Sequence, residues 1–136
     1  MRSLIPCFAL LAACSQGQDP AVMIATGTFA GEGRDRLCIG GEAGNYRAGV
    51  IAFAAGDENC SASGRIDDTN GQIAIVPRGE GPCRIPLSIE GNSIRIGEVP
   101  AACTYYCGPG ATLDGKRFNR ADMGATTVDL AGDPLC

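Results

Sequence analysis

The chain has 136 residues, with 11 basic and 15 acidic side chains, 20 glycines, 8 cysteines, no histidine and no tryptophan. A formal charge of −4 argues against a nucleic-acid partner, because phosphate binding needs a basic surface. The length suits one domain with a modest core, and the missing histidine removes the usual catalytic base.

Met1-Arg2-Ser3 carries one positive charge, and residues 4–13 form a mostly apolar run of about ten residues, the length of a signal-peptide core. A transmembrane helix needs roughly twenty. The run closes on Leu11, Ala12, Ala13 and Cys14, followed by Ser15. This resembles the lipobox of bacterial lipoproteins, and the resemblance covers residues 1–15 alone. It implies a signal peptide over 1–13 and acylation of Cys14; the small polar residues that follow read as a lipidated tether over 14–21, and the remainder as a single disulfide-rich β domain over 22–136. Two or three acyl chains would hold the protein on the bilayer, since one anchors only marginally. A serine after the cysteine implies the outer membrane, so the expected location is the cell envelope, lipid-anchored on the periplasmic face of the outer membrane. An ordinary secretory signal with Cys14 incidental would also export the chain.

Cys7 leaves with the signal and Cys14 is lipidated, which leaves Cys38, Cys60, Cys83, Cys103, Cys107 and Cys136. In an oxidising periplasm six cysteines read as three disulfides, with fifteen possible connectivities. Zinc is disfavoured by the absence of histidine and of any Cys-x-x-Cys pair. Loss of Arg2 leaves ten basic residues against fifteen acidic, a formal charge of −5.

From about residue 22, short apolar stretches alternate with turn residues every eight to twelve positions, the spacing of an all-β barrel or sandwich. The expectation is a small disulfide-stapled antiparallel fold of about seven strands, near 26–30, 36–40, 46–54, 62–66, 72–76, 84–89 and 93–98, with an irregular C-terminal segment. The 84–98 stretch specifies its own register. With Gly91-Asn92 as a two-residue turn, Ile89 faces Ile94 and Leu87 faces Ile96 on one side, while Ser88 faces Arg95 on the other. Pro86 lacks an N–H and predicts an edge or a bulge on its outer side.

Asp67-Asp68-Thr69-Asn70-Gly71 matches three positions of an EF-hand loop, but Ile66 and Pro77 occupy the first and twelfth, so it reads as a hairpin. Cys103-Thr-Tyr-Tyr-Cys107-Gly-Pro-Gly110 is the densest local feature. Tyr105 and Tyr106 are expected to pack over the barrel end, and a turn of helix is expected over 111–118. If Cys103 and Cys107 share a helical turn they do not pair with each other. The hairpin register sets Cys83 opposite Pro100, so Cys83–Cys103 is the easiest bond, and Cys38–Cys60 and Cys107–Cys136 complete the expected set.

No catalytic constellation stands out. Without histidine, Lys116 or a carboxylate would have to serve as base for a serine, and the adjacent acids Asp57-Glu58 and Asp67-Asp68 read as solvated turn residues. The residues therefore imply no enzyme, no cofactor and no metal. They imply an envelope lipoprotein whose β domain is structural or binds a protein partner, with Tyr105 and Tyr106 as candidate contacts. In size, anchoring and strand-rich pattern the chain is similar to the membrane-bound inhibitors of c-type lysozyme. Ser63-Gly64 matches the start of their Ser-Gly-x-x-Tyr loop motif, with Asp67 where the tyrosine would fall. That resemblance implies a role for Ser63 and Gly64 in contacting a basic lysozyme, which an acidic surface would attract.

Overall fold

Apolar and polar residues alternate along most of the chain, and that alternation builds the wall of the fold. The structure is a computed structural model and describes residues 23–79, 81–121 and 127–136. Cys14, the apolar run before it and the tether at 14–21 lie outside the described residues. Eight strands occur among the described residues: β1 (Gly27–Ala30), β2 (Arg36–Glu42), β3 (Asn45–Phe53), β4 (Asn59–Thr69), β5 (Gln72–Pro77), β6 (Ile85–Glu90), β7 (Ser93–Ile96) and β8 (Arg117–Arg120). Each pairs antiparallel with the next. β8 returns to β1 through Phe29↔Arg120 and Ala30↔Asn119, so the meander closes into a barrel and none of these eight strands is left as an edge.

On β3, Tyr46, Ala48, Val50 and Ala52 point inward, and on β7 and β8 Ile94, Ile96 and Phe118 do the same. Phe29, Leu37, Ile75 and Ile85 join them and are fully buried. Ala48, Ala52 and Ala62 share this interior with the two phenylalanines. Side chains fill the barrel, as the dimensions of an eight-stranded cylinder allow.

The β6–β7 hairpin has the register its alternation predicts, Leu87↔Ile96, Ser88↔Arg95, Ile89↔Ile94 and Glu90↔Ser93. Positive φ occurs at Gly91 alone in that turn, the pattern a type II′ turn requires. The 67–71 stretch is a hairpin as expected, with Asn70 and Gly71 both at positive φ between Thr69 and Gln72. Pro86 marks neither an edge nor a bulge, because β6 is paired on both sides. Its carbonyl accepts the Gly97 N–H at 3.0 Å, and the return bond that proline cannot make falls past the last residue of β7, where the strands part.

Two expectations are corrected at the C-terminal end. Residues 111–118 form no helix. The helical turn is a 3-10 helix at Ala101–Tyr106, and 117–120 is the eighth strand. β8 is four residues long with one inward apolar side chain, Phe118, too short to show a period of two.

Of the expected disulfides, Cys83–Cys103 is present, whereas the others are Cys38–Cys136 and Cys60–Cys107. Strand parity explains the correction. Cys38 lies opposite Gly49 and Cys60 opposite Ala52, so their side chains leave the wall on opposite faces. Cys60 faces the interior, where Cys107 reaches it, and Cys38 faces outward, where the tail brings Cys136. Cys103 and Cys107, both in or beside the 3-10 turn, do not pair with each other.

The tail packs as a strap on the outer wall. Leu135 settles over Ile51, Cys38 and Phe53, and the Leu135 backbone comes so close to Gly49 that a Cβ there would collide with it. A second small apolar cluster thus forms outside the barrel.

Candidate functional site

The barrel has two unlike ends. One carries the short hairpins between β2 and β3, β4 and β5, and β6 and β7. At the other, the long β7–β8 connection folds over the opening, and its sequence explains how. Pro100 precedes the 3-10 helix in extended conformation, and the Pro100 carbonyl accepts the Cys103 N–H at 2.9 Å. The Thr104 hydroxyl donates to the Ala101 carbonyl at 2.7 Å, and the Cys107 N–H closes the turn on Thr104. Thr104, Tyr105 and Tyr106 are held between Cys103, bonded to Cys83 before β6, and Cys107, bonded to Cys60 on β4. The crest is fastened at both ends to different parts of the wall.

The two tyrosines have separate fates, which corrects the expectation that both pack over the barrel. Tyr106 is half-buried against the core, and its hydroxyl donates to the Arg78 carbonyl at 3.3 Å. Tyr105 is 89% exposed, the most exposed large apolar side chain among the described residues. The rings meet edge to face at 5.2 Å, so Tyr106 steadies Tyr105 from below. Beside them lies a groove of about 280 Å³ lined by Arg78, Gly79, Gly81, Cys83, Ala102 and the tyrosines. Arg78, Gly79 and Ala102 were not legible as site residues, because Arg78-Gly79 reads as a turn and only the Cys83–Cys103 bond brings it to the crest.

Ser63 and Gly64 lie mid-strand in β4 and form no loop. The Ser63 carbonyl accepts the Arg78 N–H at 2.9 Å, so Ser63 and Tyr106 flank Arg78 from opposite sides through its backbone. Gly64 faces inward, where a Cβ would collide with the Val76 carbonyl, so its missing side chain is spent on the close approach of β5.

Of the other titratable candidates, Lys116, Asp57 and Asp67 are committed to partners. Lys116 Nζ lies 3.0 Å from buried Asp35 Oδ2, while Asp35 Oδ1 accepts the Phe53 N–H at 2.8 Å, so the lysine pins the barrel end where two loops meet. Asp57 pairs with Arg34 at 3.1 Å. Asp67 accepts the Thr69 hydroxyl at 2.7 Å and pairs with Arg84 at 2.7 Å. These contacts, Thr69 foremost and then Arg84, hold the Asp67 carboxyl below its ordinary value. Among the described residues no three His, Cys, Asp or Glu side chains gather as a metal would require.

Fold and site together define an up-and-down eight-stranded barrel, filled inside, that presents one exposed tyrosine on a disulfide-pinned crest. No family model, no curated protein and no solved structure matches this chain.

Proposed function

We propose that the chain is an envelope lipoprotein, anchored through Cys14, whose barrel is a non-catalytic module that binds a protein partner through the Tyr105 crest. The observation that carries this reading is a large aromatic ring, 89% exposed, on a segment fixed at both ends by disulfides. Aromatic anchors dominate the energy of protein interfaces, and one already held in place loses little conformational freedom on binding. The groove beside it is lined by Arg78, a residue type enriched at protein interfaces. Anchoring by two acyl chains would hold the crest near the membrane while the tether lets it reach its partner.

The experiment places a photoreactive phenylalanine at position 105 in the full chain in growing cells, with the same group at Gln72 on the opposite barrel end as reference. A discrete adduct from 105, absent from 72, is the expected result. Equal labelling from both positions would overturn the reading. A second reading, inhibition of a basic lysozyme-like muramidase, is favoured by the acidic charge. It predicts loss of muramidase activity at stoichiometric protein, and loss of that effect in Tyr105→Ala. Anchoring is tested separately: Cys14→Ser should abolish lipidation and processing, and a variant still matured and membrane-bound would refute the lipobox.

A further inference from the structure

We infer that the outer face of β6, β7 and β8 is a binding site for a phosphate group, held between Arg95 and Arg117. The two arginines lie directly opposite each other in the β7–β8 pairing and outside the barrel, since Ile94, Ile96 and Phe118 point inward. The bonds from Ile96 N–H to the Lys116 carbonyl and from Arg120 N–H to the Asn92 carbonyl, both 2.8 Å, fix which pairs share rungs. Arg95 and Arg117 fall between rungs, in the type of pair whose side chains stand closest, with Cβ atoms about 4.5–5.5 Å apart.

Like charges placed this way repel, and an acidic chain has carboxylates to spare for them. Arg34, Arg84 and Lys116 all have one. Among the described residues neither Arg95 nor Arg117 does, although Glu90 shares the same recess. That recess, about 330 Å³, is lined also by Ser88, Ser93 and Asn119. The Ser93 hydroxyl donates to Asn119 Oδ1 at 2.6 Å, which commits the amide oxygen and leaves the amide nitrogen as a donor. Two arginines, an amide and the Ser88 hydroxyl therefore line one small space together with the Glu90 carboxylate, and the donors among them suit the several oxygens of a phosphate. The fold contains its own control. Arg47 and Arg65 are also directly opposite on β3 and β4, but Arg65 shares its face with Asp67 two residues along, and that carboxyl, although bonded to Arg84, is also lowered by the charge of Arg65, so a shared counter-charge lies beside that pair.

The phosphate can be free or belong to a lipid headgroup. The test uses the ¹⁵N-labelled full chain in neutral detergent and follows the arginine Nε–Hε signals against inorganic phosphate and, separately, monomeric dihexanoylphosphatidylglycerol. Ionic strength is matched with chloride throughout. Saturable shifts at Arg95 and Arg117, absent at Arg47 and Arg65, are expected. Both Arg95→Ala and Arg117→Ala should weaken binding about tenfold or more, and Arg95→Lys, which keeps charge but loses the fork, should recover only part. Response to the lipid in preference to the ion identifies a headgroup, and the reverse a free phosphate. All three variants alter exposed side chains, and an unchanged thermal midpoint verifies their fold. Equal shifts at Arg47 and Arg65, or no saturable shift with either ligand, would overturn the inference.

Discussion

Gly64 shows how one missing side chain can decide a packing distance. A Cβ there would meet the Val76 carbonyl and the Pro77 backbone, neither of which can rotate away, so Gly64→Ala must push β4 and β5 apart. The expected cost is about 1–3 kcal/mol, read as a lower midpoint in denaturant. Gly40 is its counterpart, with open space where a Cβ would stand, and Gly40→Ala should be neutral or stabilise by up to about 1 kcal/mol through lost unfolded-state freedom. Equal effects at both positions would contradict the packing argument. Asp67 offers a second residue-level check. Its carboxyl is held below the ordinary aspartate value by the Thr69 hydroxyl and by Arg84, which acts both as a hydrogen-bond donor and as a charge, so Thr69→Ala and Arg84→Ala should each raise the midpoint in a carboxyl NMR titration, and an unmoved midpoint in either would contradict its contact. Because the folded value is depressed, the stability Asp67 contributes is present above its unfolded pKa and lost as pH falls through the folded one.

At the scale of the element, the β6–β7 hairpin was legible because Gly91-Asn92 and the alternation of Leu87, Ile89, Ile94 and Ile96 agree on a single register. β8 was not, because its place depends on partners 22 residues before it and some ninety residues away, at Arg95 and Phe29. Closing the barrel rests on its one inward apolar residue. Phe118→Ala should cost about 3–5 kcal/mol and speed amide exchange on β1 and β7 together, since both lose their neighbour. Exchange that rises in β7 alone would show that β1 and β8 are not coupled. The cysteines follow the same division. Cys83–Cys103 follows from the hairpin register, whereas Cys38 and Cys60 reveal their opposite faces only once β2, β3 and β4 are in register.

For the molecule as a whole, the chain entropy removed by bridges spanning 98, 47 and 20 residues corresponds to about 5, 4 and 3 kcal/mol taken singly, against a usual total of about 5–15. Reduction should accordingly unfold the barrel at moderate temperature, and a calorimetric midpoint unmoved by strong reductant would show that the core suffices. The sequence by itself determined the all-β class, the six paired cysteines, the chief hairpin and the acidic balance, because alternation, turn chemistry and charge are properties of neighbouring residues. Only the tertiary structure decided barrel over sandwich, two of three disulfides, the separate fates of Tyr105 and Tyr106, and the meeting of Arg95 with Arg117. Those depend on which distant segments lie across a rung or on the same side of a wall. A register shift of a single residue would reverse the face of every side chain involved.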